Sequence, residues 1–160
     1  MARTSGYVIP DEPAPGKLAA ITVTPYAAFL GFVLGGAVVG LPWMVLNGFA
    51  IGSATRKREA AIAVATLAGM LALALFIGWL HGEGFVPDAS LRYLGLSIHA
   101  TRLVGGYTIF LMQERSFELY QHFGGQVTRH GWVIAVALMV IRIVLVVSLD
   151  IGWLETALLF

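Results

Sequence analysis

Arg102 and Arg142 stand inside runs that are otherwise apolar. An Arg at mid-helix in lipid costs ~2.5–3.5 kcal/mol on insertion scales, so each needs a partner that repays it. A guanidinium is permanently charged and carries five donors, which suits carbonyl oxygens, carboxylates, phosphates and other anions. His99 precedes Arg102 by one turn on a similar face, and Gly105 and Gly106 follow it without screening the charge. Acids at matching depth are missing. Asp150 lies two turns beyond Arg142, ~12 Å along the helix, while Glu83, Asp88 and Glu114 fall near or outside the interfaces. The acceptors left are backbone carbonyls such as those freed by Pro42, Asn47, water, a lipid phosphate, an anionic ligand or a partner's acid. Arg102, Arg142, His99 and Asn47 are therefore the candidate site, for intramembrane polar contacts or for an anion or lipid.

Other chemistries have less support. His81 and His99 share the outer half but have no supporting motif for haem ligation. His122 and His130, beside Arg129, read as headgroup contacts. Glu83, Asp88 and His81 share an outer loop without defined spacing. HExxH, GxSxG and Walker patterns are absent, as are intramembrane Asp pairs. With no cysteine there is no thiolate chemistry. The expectation is a non-enzymatic protein with no catalytic residue, no metal and no cofactor.

The elements that must position these residues follow from composition. Of 160 residues 58% are hydrophobic and 12% charged, with a net charge of +1, which excludes disorder and nucleic-acid binding and implies an integral membrane protein. A hydrocarbon core of ~30 Å needs ~20 apolar helical residues. The expected fold is all-α, with four transmembrane helices over about 25–50, 60–80, 91–112 and 131–149, arranged as two helical hairpins in one domain (21–160) after an extended polar leader (1–20). Pro25 suits a first turn, whereas Pro42 falls inside the first span and should kink it or make it re-entrant. Asp88 or Ser90 would cap the third helix, and Phe117, Tyr120 and Phe123 extend it amphipathically into the cytoplasm. Asp150, Trp153 and Glu155 return the chain to the interface.

Orientation follows from Arg56, Lys57, Arg58, Arg115 and Arg129 in two connections against Arg3, Lys17 and Arg92 elsewhere. This bias puts the 51–59 and 113–130 connections in the cytoplasm and both termini, with the 81–91 loop, outside. Trp43 alone of the tryptophans sits inside a span.

Gly31 with Gly35, Gly36 with Gly40, and Gly48 with Gly52 have GxxxG spacing, and Ala61, Ala65, Gly69 and Ala72 form a small stripe. In lipid such residues let helix backbones approach closely. They are expected to pack the first two spans together or to join subunits.

The segment AAFLGFVLGG at 27–36, with Asn47, Gly52 and the basic turn to Ala60, and HFGGQVTRHGWVIAVAL at 122–138, resemble a broad group of small bacterial multi-pass inner-membrane proteins. That group's usual Pro after the paired glycines is Ala37 here. The resemblance implies a bacterial inner membrane and a multi-pass topology but carries no activity. The function expected is helix–helix association, as an accessory, immunity-type or sensor subunit, with membrane lipids and a second copy or another membrane protein as partners. The alternative is a small oligomeric channel or transporter with an Arg-lined, anion-accessible cavity.

Overall fold

The fold comes from a computed structural model, which describes residues 17–128 and 130–148. A 3-10 helix at Lys17–Ile21 precedes α1 (Pro25–Ile51), α2 (Arg56–Gly82), α3 (Asp88–His122) and α4 (Gly131–Ser148), with no strand among the described residues. The leader up to residue 16, Arg129 and the return at Asp150, Trp153 and Glu155 lie outside them. Residues 17–20, assigned by sequence to the extended leader, belong to the 3-10 helix.

The N-terminus of α1 is set by Thr24, whose side chain accepts from the Ala27 amide at 3.1 Å, and by Pro25 in the first turn. Its C-terminus is set by Gly52, left-handed at φ 73°, with the Ser53 amide reaching back to the Gly48 carbonyl at 3.0 Å. Between these caps the chain reverses. Gly36 has φ 81° and ψ −177°, a conformation that costs little only without a Cβ. Residues on either side of it face one another. Gly40 lies against the Phe32 backbone, Gly31 against Trp43, and the Val23 amide donates to Asn47 Oδ1 at 3.0 Å. α1 is thus a re-entrant hairpin of two arms, 25–35 and 37–51.

This corrects the reading of a kink at Pro42. A proline inside a helix removes one hydrogen bond, here to Val38, and leaves the direction roughly intact, whereas the dihedrals of Gly36 turn the chain around. It also explains Trp43, which packs on the first arm.

By length and composition 25–51, 56–82 and 131–148 are long and apolar enough to cross a membrane. The arms of α1, however, rise only ~16 and ~22 Å at ~1.5 Å per residue, short of a ~30 Å core. A straight first span is replaced by a hairpin whose two ends lie together. α3 is less apolar but runs antiparallel along the length of α2, with Gly69 by Thr101, Gly105 by Thr66, and Gln113 by Glu59. It continues to His122, as the amphipathic pattern predicted, with Phe117 and Tyr120 buried and Phe123 exposed beyond its end. Pro87, rather than Asp88 or Ser90, occupies its N-cap.

α4 runs beside the first arm of α1 and in the same direction. Gly131 packs on Ala27 and Val23, and Leu138 fills the space over Gly31 and Gly35. The pairing is therefore α1 with α4 and α2 with α3, in place of two successive hairpins.

One end of the bundle gathers most of the connections. The Thr128 amide donates to the Thr22 carbonyl at 2.8 Å and Thr128 Oγ1 to that of Ala20 at 2.9 Å, tying the 17–24 segment to the 123–130 turn. The 52–55 turn is there too, through Ser53 and Ser116. The expectation that the N-terminal segment shares an end with the 81–91 loop is thereby overturned, because a re-entrant hairpin returns the chain to where it entered.

Phe32, Leu41, Met44, Met70, Ile98 and Ile109 fill the core, while Leu75, Phe76, Trp79, Val104 and Val147 point outward, as a lipid-facing surface requires. On α2 the buried series is Glu59, Ala63, Thr66, Met70, Ala74 and Ile77. Ala61 and Ala65, expected on the packing face, are exposed, because the inward face is set two residues out of phase with the small stripe.

Candidate functional site

Arg102 and Arg142 both approach the first arm near the hairpin tip, within electrostatic reach of one another. Arg102 is eleven residues from Gln113 and Arg142 eleven from Gly131, ~16 Å along their helices and as deep as the first arm reaches. Arg102 is 9% exposed, with its guanidinium carbon 5.7 Å from the Phe32 ring centroid. Gly106 makes that seat, since a Cβ there would overlap the ring. A desolvated cation over a ring gains ~2 kcal/mol, but it satisfies no N–H. Nε and Nη1 of Arg102 are buried with no hydrogen-bond partner among the described residues.

Arg142 is half-buried and its Nη1 donates to the Leu34 carbonyl over a long 3.4 Å. Leu34 is in the last turn of the first arm, where the reversal at Gly36 frees carbonyls from helical bonding. The carbonyl that Arg142 reaches is thus supplied by the tip and not by Pro42. His99 is half-buried and within electrostatic reach of both guanidinium groups. Two guanidinium groups and a histidine thus gather around the broken helix ends, and of the two cations it is Arg102 whose buried N–H groups find no partner among the described residues.

Asn47 is not part of this centre. It lies at the hairpin mouth, accepting from the Val23 amide and donating through Nδ2 to Gln113 Oε1 at 3.2 Å. There it belongs to a second polar cluster, built around Glu59, which is fully buried. Glu59 Oε1 accepts from Ser53 Oγ at 2.6 Å and Thr55 Oγ1 at 2.7 Å, and Oε2 accepts from Gln113 Nε2 at 3.0 Å. The same Nε2 donates to the Met44 carbonyl at 2.6 Å, and Ser53 Oγ lies 2.9 Å from Ser116 Oγ. Gly48 makes room for the carboxylate, because a Cβ there would overlap it. Position in the first turn of α2 also favours the negative charge.

Sequence reasoning passed over Glu59 and Gln113, reading the first as the end of a basic loop. A signal was available, since Glu59 starts the same i, i+3/i+4 series as Ala63, Thr66 and Met70. The predicted glycines serve contacts within the chain. Gly31 and Gly35 receive Leu138 of α4 rather than α2, Gly36 turns the hairpin, Gly40 admits Phe32, and Gly69 faces Thr101. No family model, curated protein or solved structure matches the chain.

Proposed function

We propose that this membrane protein binds and conducts a small anion, and that Arg102 and Arg142 hold it at the tip of the re-entrant hairpin. The observation that carries this reading is Arg102, a buried cation with two unpartnered N–H-bearing nitrogens beside a broken helix. Re-entrant backbone at membrane depth is tolerated where protein or a cavity satisfies it, and helix breaks are where membrane proteins meet ions. On this reading the end carrying Lys17, Arg56, Lys57, Arg58 and Arg115 faces the cytoplasm of a bacterial inner membrane and the Arg92 end faces away.

The test is chloride and phosphate flux into vesicles containing the purified protein. Flux should fall at least ~10-fold in Arg102→Gln, the loss of one charge-assisted contact worth ~1.5–3 kcal/mol. Flux that survives Arg102→Gln combined with Arg142→Gln overturns the reading. A lipid phosphate in the same place would show as phospholipid retained through delipidation by the native chain and released by Arg102→Gln.

The association reading keeps one observation. Ala61, Ala65 and Ala72 lie exposed along α2, leaving a small-residue face that no other helix among the described residues covers. Association of this face in a homo-oligomer, or with another membrane protein as an accessory subunit, predicts that Ala65→Leu alters oligomer mass in nanodiscs.

A further inference from the structure

We infer that Glu59 is a proton-binding site, reached from the connection-rich end of the bundle through a relay of hydroxyl groups. A fully buried carboxylate ordinarily holds a cation or a metal, and no Lys, Arg or His among the described residues pairs with Glu59. The elements packed on it bring amides and hydroxyls instead. The second arm of α1 gives Asn47 and Gly48, the 52–55 turn gives Ser53 and Thr55, and α3 gives Gln113 and Ser116. The nearest charged side chains in sequence, Lys57, Arg58, Glu114 and Arg115, are exposed, and Arg56 leans over the Phe49 ring.

The two carboxylate oxygens are not equivalent. Oε2 faces an amide N–H, which can only donate, so the proton does not go there. Oε1 faces the two hydroxyls Ser53 Oγ and Thr55 Oγ1, 2.9 Å from one another, and a hydroxyl donates or accepts by rotating. The network therefore satisfies both protonation states without moving a heavy atom. Thr55 is only half-buried, so the chain from Oε1 through its Oγ1 leads outward from the buried carboxylate. In the transfer a hydronium gives its proton to Thr55 Oγ1, the proton already on that oxygen passes to Glu59 Oε1, and water is left behind. Neutral Glu59 then donates to a hydroxyl that had donated to it. Gln113 reports the change to the hairpin, because its Nε2 is shared between Oε2 and the Met44 carbonyl.

The site is separate from the arginine centre, and its test does not depend on anion flux. Infrared difference spectra of the full chain in nanodiscs, recorded on stepwise acidification, should show the C=O stretch of a protonated carboxyl growing in. The band should shift with ¹³C-glutamate labelling and be missing in Glu59→Gln, a variant the site accommodates because the hydroxyls can accept from the new amide. Ser53→Ala with Thr55→Ala should keep the band but slow its appearance in a pH-jump by at least ~10-fold. A band unchanged by Glu59→Gln overturns the inference, as does a labelled native chain with no such band down to the pH at which it unfolds. A pH-jump rate unaffected by the double variant removes the relay.

Discussion

A single buried guanidinium decides the chemistry of the tip. Arg102 is held from below by the face of Phe32 and denied hydrogen bonds at Nε and Nη1 by everything described around it. Replacing it with Gln should therefore stabilise the chain slightly in anion-free buffer, a gain of ~1–3 kcal/mol from removing an unsatisfied buried charge. Thermal unfolding in detergent without added anion checks this, and a large loss of stability would mean that the charge is already satisfied. Gln113 is the opposite case. Its amide meets Glu59, Met44 and Asn47 at once, so Gln113→Leu strands a carboxylate oxygen, a carbonyl and an amide and should cost ~3 kcal/mol in the same assay. The arginines were legible from sequence because a charge in an apolar run stands out against its neighbours. Glu59 was masked by Arg56, Lys57 and Arg58 just before it: the helical period marks it as opening the inward series of α2, but the amide that receives its carboxylate is on another helix, 54 positions along the chain.

At the scale of the element, the re-entrant hairpin is the unit that everything else serves. Hydropathy locates apolar runs but carries no direction, so a largely apolar run of 27 residues looks the same straight or folded at Gly36. Proline drew attention because its covalent constraint is visible in sequence. A glycine becomes a reversal only where a following arm has a face to pack on the first, and here Gly40 and Gly31 supply that face. Gly36→Ala places a Cβ where positive φ meets extended ψ, a conformation essentially confined to glycine, and should cost ~1–3 kcal/mol, measurable as a lower unfolding temperature. It should also weaken anion binding, since the same residue frees the Leu34 carbonyl that Arg142 uses. Gly106→Ala, which would push the Phe32 ring from beneath Arg102, should harm binding while leaving the turn intact.

For the whole molecule, hydropathy correctly marked α2 and α4 as apolar runs of spanning length, but the side on which residues 17–24 lie depends on whether α1 crosses. A hairpin changes the parity. Because the chain has no cysteine, single cysteines report topology without background. Cysteines placed at Ala20, Ala54 and Gly125 should react with an impermeant maleimide from one side of the membrane and one at Phe85 from the other. A straight first helix would instead give Ala20 and Phe85 the same side. The exposed apolar side chains on α2, α3 and α4 form the surface that lipid must wet.

The hairpin also bears on the order of assembly. It is made early, yet each of its polar ends is closed by something made later: the mouth by Glu59 and Gln113, the tip by Leu138 and Arg142. Synthesis runs from the N-terminus, so the arms leave the ribosome with Asn47 and the Gly36 reversal still lacking their partners. The first of the four helices to be translated is thus the last to be locked, and a nascent chain halted before α4 carries a hairpin that has formed but is not yet fixed in place.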